Sequence, residues 1–100
     1  MNRLQSVEDI ENDLSKLNDW IYKDNKIKKE LKFDSYMQSI DFINVISKKA
    51  EQLNHHPNLI VGYCQIIIEF TSHDLGGVTQ DCFNMAKYID SIKPERKHRE

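Results

Sequence analysis

One hundred residues with 39% apolar and 30% charged side chains describe one globular domain, not a disordered chain. A formal charge of −2, with lysine far outnumbering arginine, offers no basic face for nucleic acid and few guanidinium forks for reading phosphate. The longest apolar run, within Leu59–Phe70, is broken by Gln65 and too short to span a bilayer, so no membrane partner is expected.

The opening MNRLQSVEDIENDL holds several acids and no apolar leader core, which points to a cytoplasmic protein, a nuclear location being also compatible. Ser6 with Asp9 approximates a capping box, and Val7, Ile10, Leu14 and Leu17 recur at three- and four-residue spacing. That predicts a short amphipathic helix over residues 7–17. Trp20, Ile21 and Tyr22 favour a strand, and KDNK supplies a turn. Ile27, Lys29, Leu31 and Phe33 then alternate with Lys28, Glu30 and Lys32, a second strand pairing back on the first. Lys29 interrupts the apolar face, which suits a place near a sheet edge.

Ser35 with Gln38 makes a second capping box, and Tyr36, Ile40, Ile43, Ile46, Ala50 and Leu53 form the stripe of a long helix. Asn54 suits its C-terminus, and Pro57 pushes His56 towards extended backbone. In the apolar run that follows, Cys64, Ile66, Ile68, Phe70 and Ser72 alternate with Gln65, Ile67, Glu69, Thr71 and His73. Gly62 marks a bend, so two strands are expected there. DLGG is a turn, Thr79 caps a last helix buried through Cys82, Met85, Ala86 and Ile89, and Pro94 closes it. Residues 1–93 would form the domain and residues 94–100 a charged, frayed tail holding His98. The order α-β-β-α-β-β-α indicates an α+β fold, a four-stranded antiparallel sheet with helices packed on one face. Cys64 and Cys82 have neither zinc-ribbon nor CxxC spacing and are expected as reduced, buried thiols.

The chemistry centres on His55, His56 and His73. Imidazole titrates near neutral pH, so a histidine gives and takes protons with little tuning. If the corner after the long helix meets the end of the last strand, three imidazoles share one cleft. Glu51, one helical turn before His55, is placed to orient it, and Asp74 to support His73. Spacing alone equally describes an exposed Asn-His-His-Pro loop and a polar strand end, which is the commoner case. Adjacent histidines point apart on extended backbone, which argues against a metal site. Cys64 falls on the core face, a poor place for a nucleophile. Trp20, Phe33 and Tyr63 offer a flat apolar wall for an aromatic ring, although Phe33 reads better as core. No glycine-rich phosphate loop precedes a helix, so no nucleotide is expected.

Glu51 and His55-His56-Pro57, then Tyr63, then Ile66, Ile68, Phe70 and the Ser72-His73-Asp74 segment with Gly76, Gly77 and Thr79, resemble the signature of pterin-4a-carbinolamine dehydratases. The likeness runs from about Trp20 to Asp90 and includes Phe33, Tyr36, Met85 and Ala86. It implies elimination of water from 4a-hydroxytetrahydropterin to give quinonoid dihydropterin, in recycling of the tetrahydrobiopterin used by aromatic amino acid hydroxylases. Such a hydro-lyase requires neither redox cofactor nor metal. The resemblance carries His55, His56 and His73 over as the catalytic trio. His55 and His73 would exchange protons at the 4a-hydroxyl, and His56 would orient the pterin. Glu51, Trp20, Ser72 and Asp74 carry over as substrate-binding residues, Trp20 as a ring-side contact.

The chain departs from the family pattern at Cys82, where aspartate is usual, and Asp81 one place earlier would point elsewhere. Leu31 replaces a usual phenylalanine and Ser72 a usual threonine, both mild changes. The resemblance also implies a homodimer or homotetramer. Its alternative function is a non-catalytic protein-binding, dimerisation or assembly cofactor of the same fold, since family members bind partner proteins, including a homeodomain transcription factor. Ile67, apolar on the outer face of its strand, is compatible with cover by a second subunit.

Overall fold

Local capping sets where the helices of the computed structural model begin, and the structure describes residues 3–92. Ser6 Oγ accepts from the Asp9 amide at 3.1 Å and starts α1, Val7–Leu14. The helix is shorter than its periodicity suggests. Ser15 bonds its hydroxyl back to the Asn12 carbonyl, and the chain tightens into i→i+3 turns that still deliver Leu17 to the core. Ser35 starts α2, Tyr36–Leu53, by accepting from the Gln38 amide. The Gln38 side chain reaches back to the Asp34 amide, one residue before the position that completes a capping box. The third helix, α3, spans Gln80–Ile92. The tail expected over residues 94–100, with Pro94 and His98, lies outside the described residues.

Four strands make one antiparallel sheet: β1 Ile21–Lys23, β2 Lys26–Lys32, β3 Asn58–Gly62 and β4 Gln65–Phe70, in the order β1-β2-β4-β3. Asp24 and Asn25 both take positive φ (54° and 65°), the combination that joins β1 to β2 by a two-residue hairpin turn. Tyr63 and Cys64 turn β3 into β4, with Cys64 at φ 61°. Cys64 is therefore a half-buried turn residue and not the core-facing strand residue its alternation suggested.

Helices cover the inner face of this sheet. Ile27, Leu31, Ile66, Ile68 and Phe70 meet Ile46 and Ala50 of α2 and Cys82, Phe83, Met85, Ala86 and Ile89 of α3. Each fully buried isoleucine or phenylalanine contributes about 1.5–3 kcal/mol. The α2 stripe is narrower than its pattern, because Tyr36 and Leu53 at its two ends overrun the sheet and stay exposed. Lys29 sits on an inner strand rather than near an edge, buried among these side chains. Its ammonium lies 3.0 Å from Asp90 Oδ1 of α3, and that ion pair is what admits a cation to the core face. No helix among the described residues is long and apolar enough to cross a membrane.

Candidate active site

The end of α2 is built to turn a histidine inward. Asn54 takes the left-handed conformation (φ 52°, ψ 43°), which a short polar side chain tolerates, and its amide and that of His55 bond back to Glu51 and Ala50. Pro57 holds His56 extended, so the adjacent imidazoles leave the chain on opposite sides. His55 goes inward, 9% exposed, with its ring stacked on Phe70 at 5.8 Å and 14°. Its Nε2 lies 3.2 Å from Cys82 Sγ on the first turn of α3. His56 goes outward, and its Nε2 pairs with Glu51 Oε2. Glu51 thus supports His56 and not His55, because an extended residue directs its side chain opposite to its neighbour's.

The third imidazole arrives from the sheet. β4 ends at Phe70, under the His55 ring, and the chain enters a tight turn two residues later. Ser72 anchors that turn: its amide donates to Gly77 O at 2.8 Å, its carbonyl accepts from Gly76 N at 2.7 Å, and its hydroxyl accepts from Leu75 N at 3.2 Å. Gly76 has φ 74°, which favours glycine, whereas a Cβ on Gly77 would meet only the end of the exposed Leu4 side chain, 2.8 Å from Cδ2. The turn presents His73 and Asp74 at its exposed tip.

These parts enclose an open cleft of about 560 Å³. His55, His56 and His73 all line it, with Ser72 and Asp74, so the two predicted segments do meet. Trp20 does not line it. The indole is 6% exposed in the core, packed on Phe70 at 6.2 Å, with Nε1 donating to Asp90 Oδ1 at 3.0 Å. A large apolar ring with one donor is satisfied by a buried carboxylate, which removes it as a ring-side contact. Phe33 packs on Phe42, and Tyr63 stacks on Tyr36 at the other end of the β3–β4 hairpin, so neither provides a wall for this cleft.

The sequence reading missed Asn58, Thr71 and Asp81, which also line the cleft. Asp81 opens on it rather than pointing away, since it occupies the same first turn of α3 that brings Cys82 to His55. The signal for Asn58 and Thr71 was available in part. They flank the paired strand ends, Asn58 facing Glu69 in the register. Glu69 accepts from Asn58 Nδ2 at 3.0 Å and Lys26 Nζ at 3.3 Å. The Asn58 hydrogen bond is the main reason its carboxyl is held below the usual value, with burial opposing and Lys26 adding. A smaller hollow of about 210 Å³ reaches from His56 and His73 to this group.

Charge inside the cleft is set mainly by burial. Desolvation lowers the pKa of His55, opposed by the carboxylate of Asp81 and assisted by His56 and His73. Desolvation raises that of the Cys82 thiol, with hydrogen bonds at Thr79 opposing. Near neutral pH the inner pair is therefore a neutral imidazole against a neutral thiol. No group of three or more His, Cys, Asp or Glu among the described residues is arranged to hold a metal ion. What the cleft offers is proton donors and acceptors on two sides of an open space.

Comparison with known proteins places this chain in a family. The sequence profile described as Pterin 4 alpha carbinolamine dehydratase matches residues 3–92. A relative from Picosynechococcus sp. is 37% identical over 90 residues, covering 90% of this chain and 97% of its own length. One from Sulfolobus acidocaldarius is 36% identical over 85 residues, covering 85% and 93%. Both bear the name pterin-4-alpha-carbinolamine dehydratase, provisionally assigned. Among solved structures, a transcriptional coactivator/pterin dehydratase from Brucella melitensis superposes with a TM-score of 0.87 at 24% identity, covering 90% of this chain and 98% of that one. A pterin dehydratase-like protein identified as a RuBisCO assembly factor in the alpha-carboxysome gives 0.63 at 22%, covering 79% and 94%. At these identities the two structures speak to the fold alone.

Proposed function

The chain belongs to the pterin 4 alpha carbinolamine dehydratase family, and from that premise we propose that it eliminates water from 4a-hydroxytetrahydropterin to give quinonoid dihydropterin, in tetrahydrobiopterin recycling. The observation that carries this reading is the convergence of three imidazoles, from two separate segments, on one open cleft. The C4a–oxygen bond breaks, the proton on N5 is lost, and a C4a–N5 double bond forms. One proton therefore has to leave N5 and one has to reach the departing oxygen. His55 and His73 flank the ring and serve those two atoms, while His56, steadied by Glu51, binds and orients the pterin with Ser72 and Asp74. No electron changes hands, so the chemistry asks for acid–base groups and not for a redox cofactor.

The test is the dehydration rate of 4a-hydroxytetrahydropterin generated in situ. The expected result is acceleration over the spontaneous rate, falling about 10²–10⁴-fold in His55→Ala and His73→Ala. Folded protein that gives no acceleration would sink the enzyme reading. The alternative, a non-catalytic binding or assembly module of the same fold, draws support from a different surface. Ile60, Val61, Tyr63 and Tyr36 are exposed at and beside the open edge strand β3, away from the histidines. The same edge is where a second copy would add in a homodimer or homotetramer, which sedimentation equilibrium measures directly.

A further inference from the structure

Cys82 is a chemically active side chain that touches His55, a proposed catalytic histidine, without lining the cleft. It is fully buried, lies 3.2 Å from His55 Nε2, and has Thr79 Oγ1 at 3.9 Å on its other side. The ring stack on Phe70 fixes the plane of His55, and the sulfur fixes which edge faces inward. The other ring nitrogen, Nδ1, is not among the buried polar atoms that lack a partner, and His55 lines the cleft.

We propose that Cys82 is a positioning residue whose thiol donates to Nε2 of His55, keeps the ring proton on Nδ1, and so makes this histidine face the cleft as a hydrogen-bond donor. The direction follows from the partners. A thiol is a weak acceptor, whereas the imidazole lone pair is a good one, so S–H···N is the better of the two neutral pairings. Burial keeps both members uncharged, as the directions of their pKa shifts require. A carboxylate at position 82 would do the reverse. It accepts only, so it would draw the proton to Nε2, leave a lone pair on Nδ1, and stabilise the imidazolium. The charged and titratable groups facing His55 are Asp81 and Cys82 from α3, His56 beside it, and His73 from the turn after β4. Of these, Cys82 places its sulfur 3.2 Å from a ring nitrogen, Nε2.

Resting on the dehydratase reading, this divides the roles. His55 donates a hydrogen bond from Nδ1 to the departing hydroxyl and keeps its proton. His73 takes the proton from N5 and delivers it to that oxygen, which leaves as water, so the protein ends as it began.

The tautomer is read without substrate by long-range ¹H–¹⁵N correlation of the imidazoles in the full-length protein at neutral pH. Wild type should show His55 protonated at Nδ1 with a bare Nε2. Cys82→Ser keeps a donor and should keep that pattern. Cys82→Ala should move the proton to Nε2, and Cys82→Asp should move it there and raise the His55 pKa by about 1–3 pH units. A wild-type ring protonated at Nε2, or a tautomer that Cys82→Ala leaves unchanged in folded protein, overturns the proposal. The wild-type spectrum decides even if the aspartate variant fails to fold. If the tautomer is as stated and no dehydration is detected, the enzyme reading fails and the role of Cys82 stands. If dehydration is detected, Cys82→Asp should shift the acidic limb of the kcat/KM profile upward, an effect that simple loss of packing does not produce.

Discussion

Helix α3 carries a buried thiol near its start and a largely buried carboxylate near its end, and the two are finished differently. Asp90 lies eight residues beyond Cys82, about 12 Å along the axis. Its Oδ1 accepts from the Trp20 indole and the Lys29 ammonium, both at 3.0 Å, and its Oδ2 from the Asn18 amide, also at 3.0 Å. That knot joins α3, β2 and the segment before β1, and both carboxylate oxygens are used. Cys82 makes only soft contacts, with His55 and with Thr79, and His55 opens on the cleft. Saturated polar groups lock a fold, because any movement leaves a buried charge unpaired. A group with one partner and one open side stays able to exchange hydrogen bonds with a substrate.

The sharpest way to break this comparison is Asp90→Ala. It strands Lys29 in the core and removes three acceptor contacts, and should cost about 3–5 kcal/mol in urea unfolding while leaving the histidine cleft chemically intact. A loss under about 1 kcal/mol would mean that Lys29 escapes to water and the knot is no lock. Asn54→Ala comes next. Alanine is strained in the left-handed conformation, so about 1–2 kcal/mol should be lost, whereas Asn54→Gly should be close to neutral. If activity falls in step with stability only for alanine, the cap is what aims His55. Glu51→Gln should change stability by less than about 1 kcal/mol, since its pair with His56 is exposed, and should act on KM more than on kcat.

The pH dependence separates the groups without any rate assay. His55 has a folded pKa below its usual 6.5, so the folded state binds fewer protons than the unfolded one as pH falls past that value. Its contribution is complete above 6.5 and lost as pH falls through the folded pKa, and His55→Gln should remove that slope. Glu69, also depressed, contributes fully above its usual 4.5 and loses its contribution as pH falls through its folded pKa, so Glu69→Gln should flatten only the acid end. Urea titrations at a series of pH values would show the two windows apart. One merged window insensitive to His55→Gln would show that the ring is not held neutral by burial.

The sequence by itself determined the elements, their order, the helix end at Asn54 and the two segments that carry the histidines. Those features rest on short-range rules: 3.6- and 2-residue periods, capping residues, and the constraint of Pro57 on His56. Tertiary structure decided which partner each polar group received. Glu51 is one turn from His55 yet holds His56, because the extended corner sends the two rings to opposite sides. Trp20 reads as a binding ring until Asp90, seventy residues away in sequence, takes its proton donor. Lys29 reads as an edge residue until the same carboxylate admits it to an inner strand. Asp81 lines the cleft and Cys82 meets His55 only because α3 begins beside the end of α2. Periodicity reports which face of an element is apolar; only the packed elements bring side chains distant in sequence within hydrogen-bonding distance of one another, and it is there that an ion pair is chosen.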